Sequence, residues 1–396
     1  MSNGRGGFIG TDGLDAPDPP TGVTAAGGDT LATISFTAPT DVGTSAITGF
    51  VATTDAGDGG TGTSSPITIS SLTNGTAYTA RVYAINAYGT SSASDASSSF
   101  TPSVAKAYFL GGSDGSNRTN VISYINMTTT GMDSIDFGDL AVEQSNTTAC
   151  SSNTRGLVGG GLSNSGTVNT IQYITMTTSG SGQDFGDLSV AGYDLSATSN
   201  STRGIWGGRW TGSFNDTMDY VTIASTGNAS DFGNLAQGVY SQGATSSTTR
   251  AVFAGGYYTP SHGRDDTIQY VTIASTGNST DFGNLTVARG APAGASSNTR
   301  AIFCGGFGSS VTNIIDYITI ASTGNATDFG DTQDTHQAKA GTSNKILGFI
   351  AGGSNGETDR IERITIASTG NSVDFGNLTG HVLTVGGCST AHGGLA

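Results

Sequence analysis

Hydrophobic residues in this chain come in short runs, each closed by Gly, Asn, Ser or Asp. Ile34 and Phe36 alternate with polar neighbours, the two-residue period of a strand with one face toward a core. Other runs, Arg250 to Gly256 and Arg300 to Gly306, pass from a basic residue through an apolar stretch into a glycine pair. Stretches rich in Val, Ile, Thr, Tyr and Phe between turn formers predict antiparallel strands joined by tight turns. Helix signals are nearly absent, so the expected fold class is all-β.

The pattern recurs. Asp-Phe-Gly stands at Asp136, Asp184, Asp231, Asp281, Asp328 and Asp374, at intervals of 48, 47, 50, 47 and 46 residues. Each unit has a basic-led strand ending in the glycine pair, a variable loop, and a strand carrying a tyrosine (Tyr124, Tyr173, Tyr220, Tyr270, Tyr317). Ala-Ser-Thr-Gly-Asn or a variant follows, then Asp-Phe-Gly and a short polar strand such as Gly294 to Ser297. About four strands in a period of this length point to a propeller blade. The run ending in Gly-Gly resembles the kelch repeat, with the phenylalanine of Asp-Phe-Gly where a kelch blade usually has tryptophan. The first unit starts at Lys106 without the polar strand, whereas Val385 to Gly394 repeats that strand with nothing after it. The expectation is a six-bladed kelch-like β-propeller over residues 104–396, closed by the C-terminal strand so that no sheet edge stays open.

Composition narrows the class. Glycine at 62 residues, 11% charged and 35% hydrophobic residues describe a turn-dense folded chain rather than a disordered one. A net charge of −15 argues against nucleic acid or an anionic membrane surface as partner. No apolar run approaches the roughly 20 residues of a membrane helix, and Met1 to Asp15 lacks the pattern of a secretory signal. Cys150, Cys304 and Cys388 fall in different units; Cys150 and Cys388 hold the repeat position of Ala295, as small buried residues would.

Residues 1–15 are glycine-rich and contain Phe8 and Ile9. They read either as a frayed end or as an attachment segment that orders on a partner, with Phe8 and Ile9 as anchors. Pro17, Pro19 and Pro20 then stiffen the boundary. Residues 16–103 resemble a fibronectin type III domain. The resemblance is carried by those prolines, Val23, Ile34, Phe36, Pro39, Gly43, Ile47, Phe50, the run Leu72 to Tyr78, and Val82, Ala84, Asn86 and Gly89. It implies a β-sandwich in which Tyr78 is the corner tyrosine bonded to nearby backbone, and Phe36 replaces the usual tryptophan. The link from Ser99 to Ala105 is short.

Asp-Phe-Gly is also a kinase signature, but the chain has neither a glycine-rich nucleotide loop nor a His-Arg-Asp loop. A motif present six times has a structural task. The recurring basic residue (Lys106, Arg155, Arg203, Arg250, Arg300) is expected to pair with an Asp of an Asp-Phe-Gly. In the sixth unit Leu347 takes the basic position, and Lys345 or Arg363, which replaces the tyrosine, is the expected substitute. Asn-Xaa-Ser/Thr triplets at Asn117, Asn146, Asn228, Asn278 and Asn325 read as turn residues rather than glycan acceptors. His262, His336, His381 and His392 lack metal-ligand spacing, and Gly111 to Gly115 spells Gly-Xaa-Ser-Xaa-Gly with no helix to follow. No catalytic residue, metal or cofactor is expected.

What varies is the loop after each glycine pair, and variable loops on a constant frame build binding faces. Trp206 and Trp210, then Tyr257, Tyr258, His262 and Arg264, then Phe307 are the candidate ligand residues, since aromatic side chains stack on sugars or fill protein pockets. The same residues could instead cap the ends of the blades. The phrase Tyr-Val-Thr-Ile-Ala-Ser-Thr-Gly-Asn-Xaa-Xaa-Asp-Phe-Gly-Asn-Leu, with Gly7 to Leu14 and Cys388 to Leu395, resembles virion proteins of tailed phages of aquatic bacteria, cyanophages especially. The resemblance implies a structural protein of the virion, homo-oligomeric in the particle: a fibre, tail or head appendage whose N-terminal segment meets other virion proteins and whose propeller meets a host-surface glycan or protein. A head or baseplate decoration protein, and a glycan depolymerase with carboxylates about 5 to 10 Å apart, remain open.

Overall fold

A computed structural model describes residues 14–391 except 130, 179, 259–262, 339, 355–358 and 381. The described residues are strands and turns without a helix, in two compact units, one ending at Ala105 and the other starting at Lys106. The attachment anchors Phe8 and Ile9 lie outside the described residues.

In the first unit, Thr21–Gly28, Leu31–Thr37 and Ile67–Ser70 form one sheet. Gly59–Gly62, Ile47–Thr54, Ala80–Asn86 and Gly89–Thr90 form the other. Alternation along the strands decides what is buried: Ala32, Ile34 and Phe36 from one sheet, Ala80, Val82 and Ala84 from the other. Phe36 packs 4.8 Å from Phe50, ring centre to ring centre. Tyr78 is buried, and its hydroxyl accepts the Thr73 N–H at 3.1 Å. A serine at every third position continues this sheet: Ser91, Ser94 and Ser97 accept the N–H of Ala84, Val82 and Ala80 through their hydroxyls. The same serines donate their own N–H to the carbonyls of those residues. Ala80–Asn86 is thereby covered beyond the two residues of Gly89–Thr90.

The second unit contains six four-stranded antiparallel sheets, each taking its strands in chain order. The fifth is representative, with Ala293–Ser296, Arg300–Cys304, Ile314–Thr319 and Thr327–Asp331. Only the first sheet departs, because its first-strand place is filled from the other end of the chain by Gly386–Ser389, which pairs with Lys106–Leu110. The first strand of every sheet touches that of the next, and the sixth touches the first.

A cycle of serine bonds runs through these first strands. Ser199 Oγ donates to the Ser151 carbonyl at 2.7 Å, Ser246 to Ser199 at 2.6 Å, and Ser296 to Ser246 at 2.7 Å. Ser296 N–H donates to Ser343 Oγ at 3.1 Å, Ser389 Oγ to the Ser343 carbonyl at 2.7 Å, and Ser151 Oγ to the Ser389 carbonyl at 2.8 Å. The hydroxyls are buried, so each bond also removes the cost of an unsatisfied polar group.

The repeat phrase finds its reasons in the fourth strand. Pairing skips one residue at Asp-Phe-Gly: Asp328 faces Asp316 and Gly330 faces Ile315, leaving Phe329 bulged between them. The bulge turns the phenylalanine inward, where Phe329 meets Tyr317 edge-on at 5.9 Å and Phe282 meets Tyr270 at 5.8 Å. Gly330 has φ 144° and lies so close to Gly370 of the next sheet's turn that a Cβ would sit 2.6 Å from that carbonyl. Only glycine fits both conditions. The asparagine of Ser-Thr-Gly-Asn fastens the same junction: Asn228 Oδ1 accepts the Asp187 N–H at 3.0 Å, and Asn278, Asn325 and Asn371 repeat the bond. Three of the five asparagines in Asn-Xaa-Ser/Thr triplets named above thus hold sheets together.

The expected pairing of the basic residue with Asp-Phe-Gly is corrected. Asp136, Asp184, Asp231, Asp281, Asp328 and Asp374 are exposed, and no ion pair among the described residues involves them. The bulge that sends phenylalanine inward sends aspartate out. The basic side chains instead lie over the tyrosine rings of their own sheets: Lys106 over Tyr124 at 4.2 Å, Arg155 over Tyr173 and Arg203 over Tyr220 at 4.7 Å, Arg250 over Tyr270 at 4.5 Å and Arg300 over Tyr317 at 4.4 Å. The four arginines then reach into the following sheet and donate to carbonyls just past its third strand, those of Ile223, Ile273, Ile320 and Ile366. In the sixth sheet Arg363 takes the tyrosine position opposite Phe349, Phe349 meets Phe375 edge-on, and Lys345 is exposed in the turn before Leu347. Ion pairs occur elsewhere, wholly buried: Arg209–Asp219 at 2.8 Å and Arg289–Asp316 at 2.9 Å, each aspartate standing one residue before the tyrosine.

Candidate ligand-binding site

The variable loops meet a second element that the repeat places beside them. Five residues before each first-strand serine stands a non-glycine residue in the left-handed region: Asn146, Asp194, Ser241, Ala291, Ala338 and Thr384, with φ between 52° and 57°. Such a conformation costs on the order of 1 kcal/mol per residue and persists only where the surroundings impose it. Here a backbone chain imposes it: Asp194 N–H donates to the Asn146 carbonyl, Ser241 to Asp194, Ala291 to Ser241 and Ala338 to Ala291. At the Asn146 end of this chain the Asn146 N–H donates to Thr384 Oγ1 at 3.2 Å. All six residues line one cavity of about 90 Å³.

The residue before each of these pairs with the residue seven past the start of the second strand. Tyr193 pairs with Trp210, Tyr240 with Tyr257, and Gly290 with Phe307; in the third unit Arg209 holds the place of the second glycine. The variable loops therefore start at the rim of the cavity, and three of the expected residues meet there. Trp210 lies 5.1 Å from Phe214 and 5.4 Å from Tyr240, and Tyr240 stacks on Tyr257 at 5.2 Å. Arg264, opposite Tyr257 in the short ribbon of Tyr257–Tyr258 and Gly263–Arg264, lies over the Phe307 ring at 4.6 Å. Trp210, Phe214, Tyr240, Tyr257, Tyr258 and Phe307 are all half-buried, so each ring keeps a surface to solvent.

Trp206 is a correction. It has 0% exposure and packs with Cys150, Leu157 and Leu195 between the second and third sheets. It stands inside the strand Arg203–Trp210 with its side chain toward the second sheet, and its place beside Gly159 and Gly204 needs their missing side chains. His262 lies outside the described residues. Sequence reasoning missed Tyr193, Phe214, Tyr240 and the six cavity residues. The signal was present in the repeat, since the position five before a constant serine carries Asn, Asp, Ser, Ala, Ala and Thr.

Asp194 gives the cavity its charge. Its Oδ1 accepts Asn146 Nδ2 at 2.7 Å. Burial raises its pKa above the usual carboxylate range, against the opposing bonds from Asn146 and Ser241. Burial and then the Asp194 charge push the Tyr240 hydroxyl up. The Tyr257 hydroxyl is raised mainly by burial, with Arg264 opposing and Asp194 adding. The carboxylate and the aromatic rings therefore share one face. Among the described residues no three His, Cys, Asp or Glu side chains converge as a metal site, and no helix is long and apolar enough to cross a membrane.

No curated protein matches the chain. The family model of the fibronectin type III domain matches residues 18–100, the segment whose two sheets, buried Phe36 and bonded Tyr78 are described above, and residues 18–100 are accordingly a fibronectin type III domain.

Proposed function

We propose that residues 106–396 form a six-bladed kelch-like propeller and that the chain is a non-enzymatic binding and assembly protein of a phage particle. In this reading the N-terminal region attaches to other virion proteins, and the propeller is displayed to a host-surface glycan. The closed serine cycle and the C-terminal strand in the first sheet support the ring. The observation that carries binding is the half-buried aromatic group Trp210, Phe214, Tyr240 and Tyr257 beside a polar cavity. Rings held by one another lose little freedom on binding and offer flat apolar faces to a sugar. The virion context rests on the resemblance of the repeat phrase and both ends of the chain.

The test is binding of the labelled full chain to a panel of aquatic bacteria, cyanobacteria included, and to their extracted surface polysaccharide. Trp210→Ala is expected to weaken binding at least about tenfold, the loss of a central aromatic anchor. No binding to any cell or extract, or binding indifferent to Trp210→Ala, overturns the reading.

A further inference from the structure

Resting on that reading, we infer that the cavity ringed by the six left-handed residues is a subsite for the N-acetyl arm of a 2-acetamido sugar whose ring stacks on the Tyr240–Tyr257 wall. The cavity lining is mixed. Asn146, Asp194, Ser241 and Thr384 bring polar groups to it, and Leu195, Ala291, Pro292, Ala338 and Val385 bring apolar ones. A hydroxyl or hydroxymethyl group would use only the polar groups, and a methyl group only the apolar ones. An acetamido group uses both, its N–H donating to the Asp194 carboxylate, its carbonyl accepting from the Thr384 hydroxyl, and its methyl resting on the alanines.

Size and position agree. About 90 Å³ is room enough for a small substituent. Tyr193 and Tyr240 directly precede Asp194 and Ser241, so a ring stacked on the aromatic wall carries its substituent over the cavity. From Asn146 through Asp194, Ser241 and Ala291 to Ala338 the geometry is fixed by backbone bonds between successive sheets, which leaves the side chains at these positions free to vary without loss of the frame. That is how a repeat protein makes one site from six equivalent positions.

Ligand-observed NMR titration of the full chain with N-acetylglucosamine, glucosamine and glucose tests the assignment. N-acetylglucosamine is expected to bind about tenfold more tightly than glucose, the worth of one buried methyl and one hydrogen bond. Ala291→Leu, which fills the apolar part of the cavity, is expected to abolish that preference. Asp194→Ala is expected to reduce the preference as well, and unaltered tryptophan emission certifies the fold of both variants. Equal binding of the three sugars, tightest binding of glucosamine, or a preference that survives Ala291→Leu overturns the inference. If none of the sugars binds but surface polysaccharide still binds in a Trp210-dependent way, the subsite fails and the broader reading stands; if polysaccharide binding is also absent, both fail.

Discussion

Replacing Arg250 by Met separates two accounts of why a basic residue opens five of the six units. Methionine keeps most of the apolar stem that packs under the guanidinium and removes the charge. Two interactions are lost: the contact with the Tyr270 ring at 4.5 Å and the bond from Nη1 to the Ile320 carbonyl at 2.7 Å in the next sheet. A bond from a charged donor is worth about 1.5 to 3 kcal/mol, and Arg250 is half-buried, which places this one near the lower end. The ring contact adds about 0.5 to 1 kcal/mol, so the expected cost is roughly 2 to 3 kcal/mol. Asp281→Asn is the counterpart, because Asp281 is exposed and should cost less than about 0.5 kcal/mol. The assay is equilibrium urea unfolding followed by tryptophan emission. Both tryptophans, Trp206 and Trp210, lie in the repeat unit, so the signal reports that unit and not the sandwich. With a slope of about 3 kcal/mol per molar urea, the Arg250→Met midpoint falls by roughly 0.7 to 1 M. An equal fall for Asp281→Asn, or none for Arg250→Met, would refute the reasoning and restore the ion pair.

Two further predictions follow from the same geometry. A Cβ on Gly341 would overlap the Gly294 carbonyl oxygen of the neighbouring first strand, so Gly341→Ala should cost about 1 to 3 kcal/mol through overpacking. Gly380→Ala, with no atom within 4 Å of the added carbon, should leave the urea midpoint unchanged. Because burial raises the folded-state pKa of Asp194, the folded state holds its proton to higher pH than the unfolded chain does, and stability from this group falls as pH rises from the unfolded to the folded pKa. Asp194→Asn should therefore gain stability relative to the natural chain as pH rises through the titration of this carboxylate. A difference independent of pH would show that the carboxylate is not desolvated.

The sequence alone determined the local grammar. Two-residue alternation marked Ile34 and Phe36 as core residues of the sandwich, and the fibronectin type III resemblance singled out Tyr78 and Val82. A phrase repeated six times required six equivalent sheets, and the surplus strand at Gly386–Ser389 matched the missing strand before Lys106. These features were legible because they depend on neighbours in the chain or on counting units. Contacts between units decided the rest. The direction of each side chain in Asp-Phe-Gly depends on a bulge that only pairing with the third strand reveals, which is why the aspartates turned outward and the arginines found tyrosine rings. Whether a tryptophan is core or surface, as Trp206 and Trp210 divide within the one strand Arg203–Trp210, depends on whether a neighbouring sheet covers it. The cavity has no sequence neighbourhood at all: Asn146, Asp194, Ser241, Ala291, Ala338 and Thr384 come together only because hydrogen bonds between successive sheets bring one residue from each unit to a common rim.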